Sequence, residues 1–262
     1  VAVLGDPRRP KDIPDWLREL LRAIGVSAVS AGVKDKVRAV CDKTVNKQYL
    51  TAGKKVVLVH AQIKSYAELA LRRRFLRGFD AAARLVELGH SVVVHARNAE
   101  RAATLPAEWP VVVGDLEEAD QVRSVAAQFG ALGPYDAVIH NAGIDETPTR
   151  RTNSVGECTI TAVNVYAPYV LTALMARPPR LIYLSSSSHY PGIATLDDVH
   201  WQQRPWNGTQ AYCNSKLLLT TFAMAIAHRW PNTVVQSVDP GWVPTRMGGP
   251  TAPDDLVLGH RT

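Results

Sequence analysis

Cysteine is scarce. The three residues, Cys41, Cys158 and Cys213, are widely spaced, which excludes a disulfide framework and a paired-cysteine zinc pattern. A reduced, cytoplasmic setting is the expectation. No apolar run approaches the ~18 residues that span a bilayer, and the opening Val1–Arg9 lacks the long apolar stretch of a secretory signal. His95, His140 and His189 show no ligand spacing, so no metal is expected. The chain has 262 residues, 46% hydrophobic and 21% charged. That composition excludes collagen-like, disordered and coiled-coil classes and leaves one large domain, or one domain with an attachment.

Lysine is also missing from most of the chain. Eight of the nine lysines lie in residues 1–64, and Lys216 alone serves the remaining 198. Charge follows the same division. Residues 1–80 carry 17 Lys+Arg against 8 Asp+Glu, while residues 81–262 carry 13 against 16. The excess over the first third reads as a solvated basic face. Aromatics are too sparsely interleaved there for nucleic acid to be an expected partner. The shift suggests two segments of different origin.

Residues 1–52 read as a basic helical extension, with an amphipathic helix over Asp15–Ile24 and a weaker one over Lys34–Lys47. Residues 53–262 alternate strands and helices. Strands are expected at Val56–Val59, Ser91–His95, Val111–Asp115, Ala137–His140, Leu181–Leu184 and Val234–Val238. Helices are expected at Ala81–Leu88, Glu117–Phe129, Cys158–Met175 and Gln210–Arg229. Near-continuous apolar strands that alternate with helices imply a parallel sheet covered on both faces. The fold class is therefore α/β, a doubly wound, Rossmann-like sheet of about six strands, whose ligands bind at the carboxyl ends of the strands.

The chemistry-bearing residues stand at those ends. Asp115 follows the third strand, Asn141-Ala142-Gly143 the fourth, Ser185–Ser188 the fifth and Asp239-Pro240-Gly241 the sixth. Tyr212 and Lys216 are spaced i, i+4 on one helix face and can reach one site together. Hydride transfer to a carbonyl requires a proton donor at the oxygen. A tyrosine is a poor one at neutral pH until a nearby ammonium lowers its pKa. Cys213 reads as a packed thiol rather than a nucleophile, and Ser185, Ser187 and Ser188 as loop or capping serines.

This set resembles the short-chain dehydrogenase/reductase superfamily. The stretches Leu184-Ser-Ser-Ser-Ser-His-Tyr190 and Ala211-Tyr-Cys-Asn-Ser-Lys216 are similar to its retinol-dehydrogenase-like branch. The resemblance covers about residues 54–262 and implies a catalytic set of Ser186, Tyr212, Lys216 and Asn164. Tyr212 would be the general acid/base, and Lys216 would lower its pKa and hold the nicotinamide ribose. Ser186 would orient the carbonyl, and Asn164 would belong to a proton relay. Cofactor contacts implied by the resemblance are Asp115 at the adenine, Asn141, Ala142 and Gly143 along the cofactor, and Pro240, Gly241, Val243 and Thr245 on the nicotinamide side. Arg97 ends the second strand with no acidic residue beside it in His95-Ala-Arg-Asn98. A cation there suits a 2′-phosphate, hence NADP(H) before NAD(H). The expected function is interconversion of a small alcohol and a carbonyl, with a homodimer possible and no membrane span.

Two departures qualify the resemblance. The family places Thr-Gly-x-x-x-Gly-x-Gly after its first strand, where glycines let a backbone approach pyrophosphate. Residues 60–80 here hold only Gly78, together with Arg72, Arg73, Arg74 and Arg77. The end at Thr262 is short for the family. A catalytically silent relative that acts as a binding or scaffold module is the alternative expectation.

Overall fold

The computed structural model describes residues 55–59, 77–145, 148–193, 196–242 and 251–253. The expected extension over 1–52, with its two helices, lies outside the described residues, as do 60–76 of the arginine-rich window.

The chain alternates β1 (Lys55–Val59), α1 (Arg77–Glu87), β2 (Ser91–Ala96), the short α2 (Ala99–Ala102), β3 (Val111–Val113), α3 (Ala119–Leu132) and β4 (Ala137–His140). A helical run of three pieces follows, here α4: Thr159–Thr161, a π-helical Ala162–Tyr166, and Ala167–Leu174. Then come β5 (Arg180–Leu184), a 3-10 turn (Ser187–His189), α5 (Gly208–Arg229) and β6 (Val234–Val238). The six strands form one sheet in the order β3-β2-β1-β4-β5-β6. Every pairing is parallel, with Val57 opposite both Val93 and Val138. This is the doubly wound arrangement, in which the strand order reverses between β1 and β4 while all strands stay parallel.

Apolar residues on successive strand positions explain the two layers, because neighbouring side chains point to opposite faces. Val93, Val112 and Val138 pack with Val125 and Phe129 of α3, Leu171 of α4 and Phe222 of α5. Val92, Val94 and Ala96 pack on the other face with Ala82 of α1 and Leu105. Burial of these strands on both faces is what hydrophobic runs without alternation encode.

Most boundaries shift by a residue or more, α3 by two to three, at Ala119–Leu132; three of the shifts have a local reason. Helix α1 starts at Arg77 rather than Ala81, because Arg is a good helix former and the basic run does not break a helix. Strand β3 stops at Val113. A Cβ on Gly114 would lie 2.6 Å from Val125 Cγ2, so the chain crosses α3 at this glycine and turns out of the sheet. Helix α5 starts at Gly208, two residues early, because the Asn207 side chain accepts from the Gln210 amide at 2.9 Å and caps the helix.

Buried polar groups pin the strand ends. His95 on β2 bonds the Gly114 carbonyl at 2.6 Å, and burial pulls its pKa from 6.5 to about 4. His140, the last residue of β4, stacks on Tyr183 with ring centroids 4.7 Å apart. Its Nε2 meets Thr172 Oγ1, which pairs with the Tyr183 hydroxyl at 2.8 Å. Burial holds His140 down at about 3 and pushes Tyr135 up to about 12.

Both histidines titrate near 6.5 once unfolded, so unfolding takes up protons below that pH. Their stabilisation is complete above pH 6.5 and is lost as pH falls toward about 4 for His95 and about 3 for His140. Urea midpoints should fall across that window, by at most ~1.4 kcal/mol per pH unit for each histidine. His140→Phe, whose ring keeps the stack on Tyr183, should flatten the slope; an unchanged slope refutes the assignment. Separately, Gly114→Ala should cost about 1–3 kcal/mol by overpacking. Gly130→Ala, where no atom lies within 4 Å, should be neutral or stabilising in the same thermal melts.

Candidate active site

Beyond β4 and β5 the sequence motifs converge. Helix α5 carries Tyr212 and Lys216 one turn apart on the side that faces the end of β5. Lys216 is 4% exposed, and its Nζ donates to the Leu184 carbonyl at 2.8 Å. The same ammonium lies 5.6 Å from the Tyr212 ring centroid. A Cβ on Gly143 would sit 3.5 Å from both Lys216 Nζ and Asn164 Oδ1. The loop after β4 therefore passes close to a buried cation and a buried amide.

Asn164 is fully buried and occupies the centre of the π segment. Its Oδ1 accepts from the Ile144 amide at 2.8 Å. Its Nδ2 donates to the Ile144 carbonyl and to Ser215 Oγ, each at 2.9 Å. One side chain thus ties the β4 loop, α4 and α5 together. Pro168 stands four residues beyond and has no N–H, so the Asn164 carbonyl lacks its usual α-helical donor. The Ala167 amide reaches the Ala162 carbonyl instead, which is the wider turn.

Ser186 caps the 3-10 turn and is half-buried. Its Oγ accepts from the Ser188 amide at 3.2 Å and lies 3.2 Å from Ser188 Oγ. Ser185, by contrast, faces α5, where it pairs with Thr220 Oγ1 at 2.5 Å. The serine run thus divides into an anchoring member and a member turned elsewhere.

The other expected residues lie along the strand ends. Arg97 is exposed after β2, next to Asn98, which caps α2 by accepting from the Arg101 amide at 2.9 Å. Asp115 follows β3, and its Oδ1 accepts from the Glu117 amide at 3.0 Å. Asn141 and Ala142 lead into Gly143. Pro240 is buried after β6, and Gly241 turns with φ 77° while its amide reaches Asp239 Oδ1 at 3.0 Å. Val243 and Thr245 lie outside the described residues.

Sequence reasoning missed Ser215 and Asn214. Asn214 accepts from the Ile193 amide and from Gln210 Nε2, each at 2.8 Å, and so anchors the segment between serine and tyrosine to α5. Both residues stand inside Tyr212-Cys-Asn-Ser-Lys216, where small polar residues on a helix that packs at the core signal bridging roles. Trp201 belongs to the core: it is buried with Ile160 and Ala211 and lies edge-on to Trp206.

Among the described residues no group of three or more His, Cys, Asp or Glu could hold a metal ion. No described helix is long and apolar enough to cross a membrane.

Comparison with known proteins identifies the family. The short chain dehydrogenase family matches residues 78–255. A short-chain dehydrogenase of Gibberella zeae is 38% identical over 192 residues, 71% of this chain and 74% of its own. Retinol dehydrogenase 13 of Homo sapiens is 32% identical over 143 residues, 51% of this chain and 43% of its own. A short chain dehydrogenase structure from Shigella flexneri, complexed with NADP, superposes with a TM-score of 0.55 at 21% identity, covering 80% of this chain and 87% of that one. The chain belongs to the short chain dehydrogenase family and is an oxidoreductase of the dehydrogenase/reductase class. The family match begins at Gly78, near the end of the window that lacks the expected glycines.

A Cβ on Gly192 would meet the Cys213 carbonyl at 2.6 Å and Leu217 Cβ at 2.8 Å. Neither backbone nor core can yield cheaply, so Gly192→Ala should lift the loop after β5 off α5. The expected outcome is a melting temperature several degrees lower, from about 1–3 kcal/mol of overpacking. A melt that matches the parent protein refutes this close approach.

Proposed function

We propose that the chain is an NADP(H)-dependent oxidoreductase that interconverts a small-molecule alcohol and a carbonyl, with Tyr212 as the proton donor or acceptor. The observation that carries this reading is the buried Lys216 ammonium, held to the Leu184 carbonyl and set beside Tyr212, Gly143 and Asn164. The residues fit a nicotinamide dinucleotide. Gly143 leaves the space beside Lys216 without a side chain, and Arg97 is an exposed cation at the end of β2. Bound there, the cofactor would supply or accept the hydride at the substrate carbon.

The chain's own residues manage the proton. In the reducing direction the Tyr212 hydroxyl donates to the oxygen that gains charge. In the oxidising direction the phenolate takes the alcohol proton. A cation nearby favours the phenolate, which is the task of Lys216. Ser186 orients the substrate oxygen by hydrogen bonding. The Asn164 side chain is consumed in fixing the β4 loop, so its part in a relay falls to its backbone carbonyl, which Pro168 deprives of an α-helical donor. Asp115 serves the adenine, and Asn141, Ala142 and Gly143 line the cofactor. Pro240 and Gly241 would follow the nicotinamide side, a role that the family resemblance also implies for Val243 and Thr245. The chain divides into the basic extension 1–52 and the dehydrogenase domain 53–262.

Titration of the 262-residue chain with NADPH, followed by nucleotide fluorescence with NADH alongside, tests this reading. Micromolar binding that favours NADPH supports it. Absence of binding at millimolar nucleotide overturns it in favour of a silent binding module. Arg97→Ala should weaken NADPH about tenfold and leave NADH unchanged. Tyr212→Phe should bind NADPH like the parent and turn over at least ~100-fold more slowly. Lys216→Met should move the limb of the alcohol-oxidation profile to higher pH, because phenolate then forms only under more alkaline conditions.

A further inference from the structure

We infer that His189 is a positioning residue that fixes the Ser186 peptide for the carbonyl chemistry. The inference rests on the reading of Ser186 under Proposed function.

The carbonyl of Ser186 is held twice. It accepts from the His189 backbone amide at 3.0 Å and from His189 Nδ1 at 2.5 Å. A carbonyl oxygen only accepts, so Nδ1 must carry the hydrogen. The opposite nitrogen, Nε2, is buried and has no hydrogen-bond partner among the described residues, and the residue as a whole is 4% exposed. Burial of a polar nitrogen without a partner is costly. A leucine or phenylalanine would fill the same space without that cost. What the histidine adds is the Nδ1 bond to the residue that presents the serine hydroxyl.

The ring is itself located. It lies against Tyr190 with centroids 4.1 Å apart. The His189 carbonyl accepts from the Gly192 amide at 3.1 Å, and Gly192 presses on the Cys213 carbonyl of α5. A chain of contacts thus runs from the helix that bears Tyr212, through Gly192 and His189, to the Ser186 peptide. Through it the position of the serine is referred to the helix that holds the tyrosine. Loss of the Nδ1 bond frees the peptide to rotate and the hydroxyl to drift, and errors of about 1 Å in such geometry cost up to ~100-fold in rate.

The test compares three substitutions in the full chain, with NADPH and two carbonyl probes, phenanthrenequinone and 4-nitrobenzaldehyde. An asparagine Nδ2 occupies nearly the place of Nδ1 and can restore the bond. A glutamine keeps polarity but carries its amide toward Nε2, away from the carbonyl. We expect His189→Gln to lower kcat about 10- to 100-fold, while KM and NADPH affinity stay within about threefold and the melting temperature stays within a few degrees. We expect His189→Asn to recover most of kcat. A His189→Gln enzyme with kcat within about twofold of the parent overturns the inference. So does equal loss in the Asn and Gln variants. Ser186→Ala separates the two failures: if it is inactive while His189→Gln is active, only this inference falls. If Ser186→Ala is fully active, or the parent reduces neither probe, the reading of the site falls and takes this one with it.

Discussion

A buried ammonium organises this molecule. A lysine with 4% exposure is tolerated only where acceptors surround its head group. The Leu184 carbonyl is one such acceptor, and it is the last residue of β5. The requirement therefore fixes helix α5 against one strand end at one register. Once that register is set, Tyr212 stands beside the ammonium, Ser185 meets Thr220 one turn further along, and Ser215 comes into reach of Asn164. The hydrophobic layer beneath, with Leu219, Phe222 and Ile226 on the sheet, supplies most of the stabilisation, but it specifies position less exactly than the polar contacts above it.

The sheet and the site use the same residues for different ends. His140 closes β4 and starts the turn into Asn141, and its stack on Tyr183 couples that turn to β5. His95 does the same for β2 and the Gly114 turn. In each case a neutral ring holds a strand terminus at the edge where ligands approach. The stability of these ends is therefore bound to the protonation of groups that touch no substrate.

Much of this was legible in the sequence. Apolar runs located all six strands within two residues at each end, because strands buried on both faces need unbroken apolar stretches. The Tyr212–Lys216 spacing, read with the single lysine of the last 198 residues, pointed to α5, where the Lys216 ammonium lies beside the Tyr212 ring. What stayed hidden depended on tertiary contacts. The π segment in α4 leaves no periodicity of its own; Pro168 was its trace, and a proline near a helix start usually signals only a first turn. Asn164 was recognised by motif, yet its grip on both polar atoms of Ile144 is a relation across 20 residues that no local pattern carries. The α1 start at Arg77 was masked by a basic run whose helical propensity is good. Ser185 and Ser186 are neighbours of one type, and only the turn of the chain after β5 assigns one to the core and the other to the opening.

Trp201 has φ 55°, a conformation that bulky residues seldom adopt, while buried against Ile160 and Ala211. The Arg204 guanidinium stacks 3.8 Å over its ring. The carboxylate of Asp198 accepts from the Gln202 and Gln203 amides. A turn determined from so many sides has one shape and little freedom to adapt it. Such a turn is altered as a unit or not at all: a change at any one of its supports strains the rest, so its shape is inherited whole.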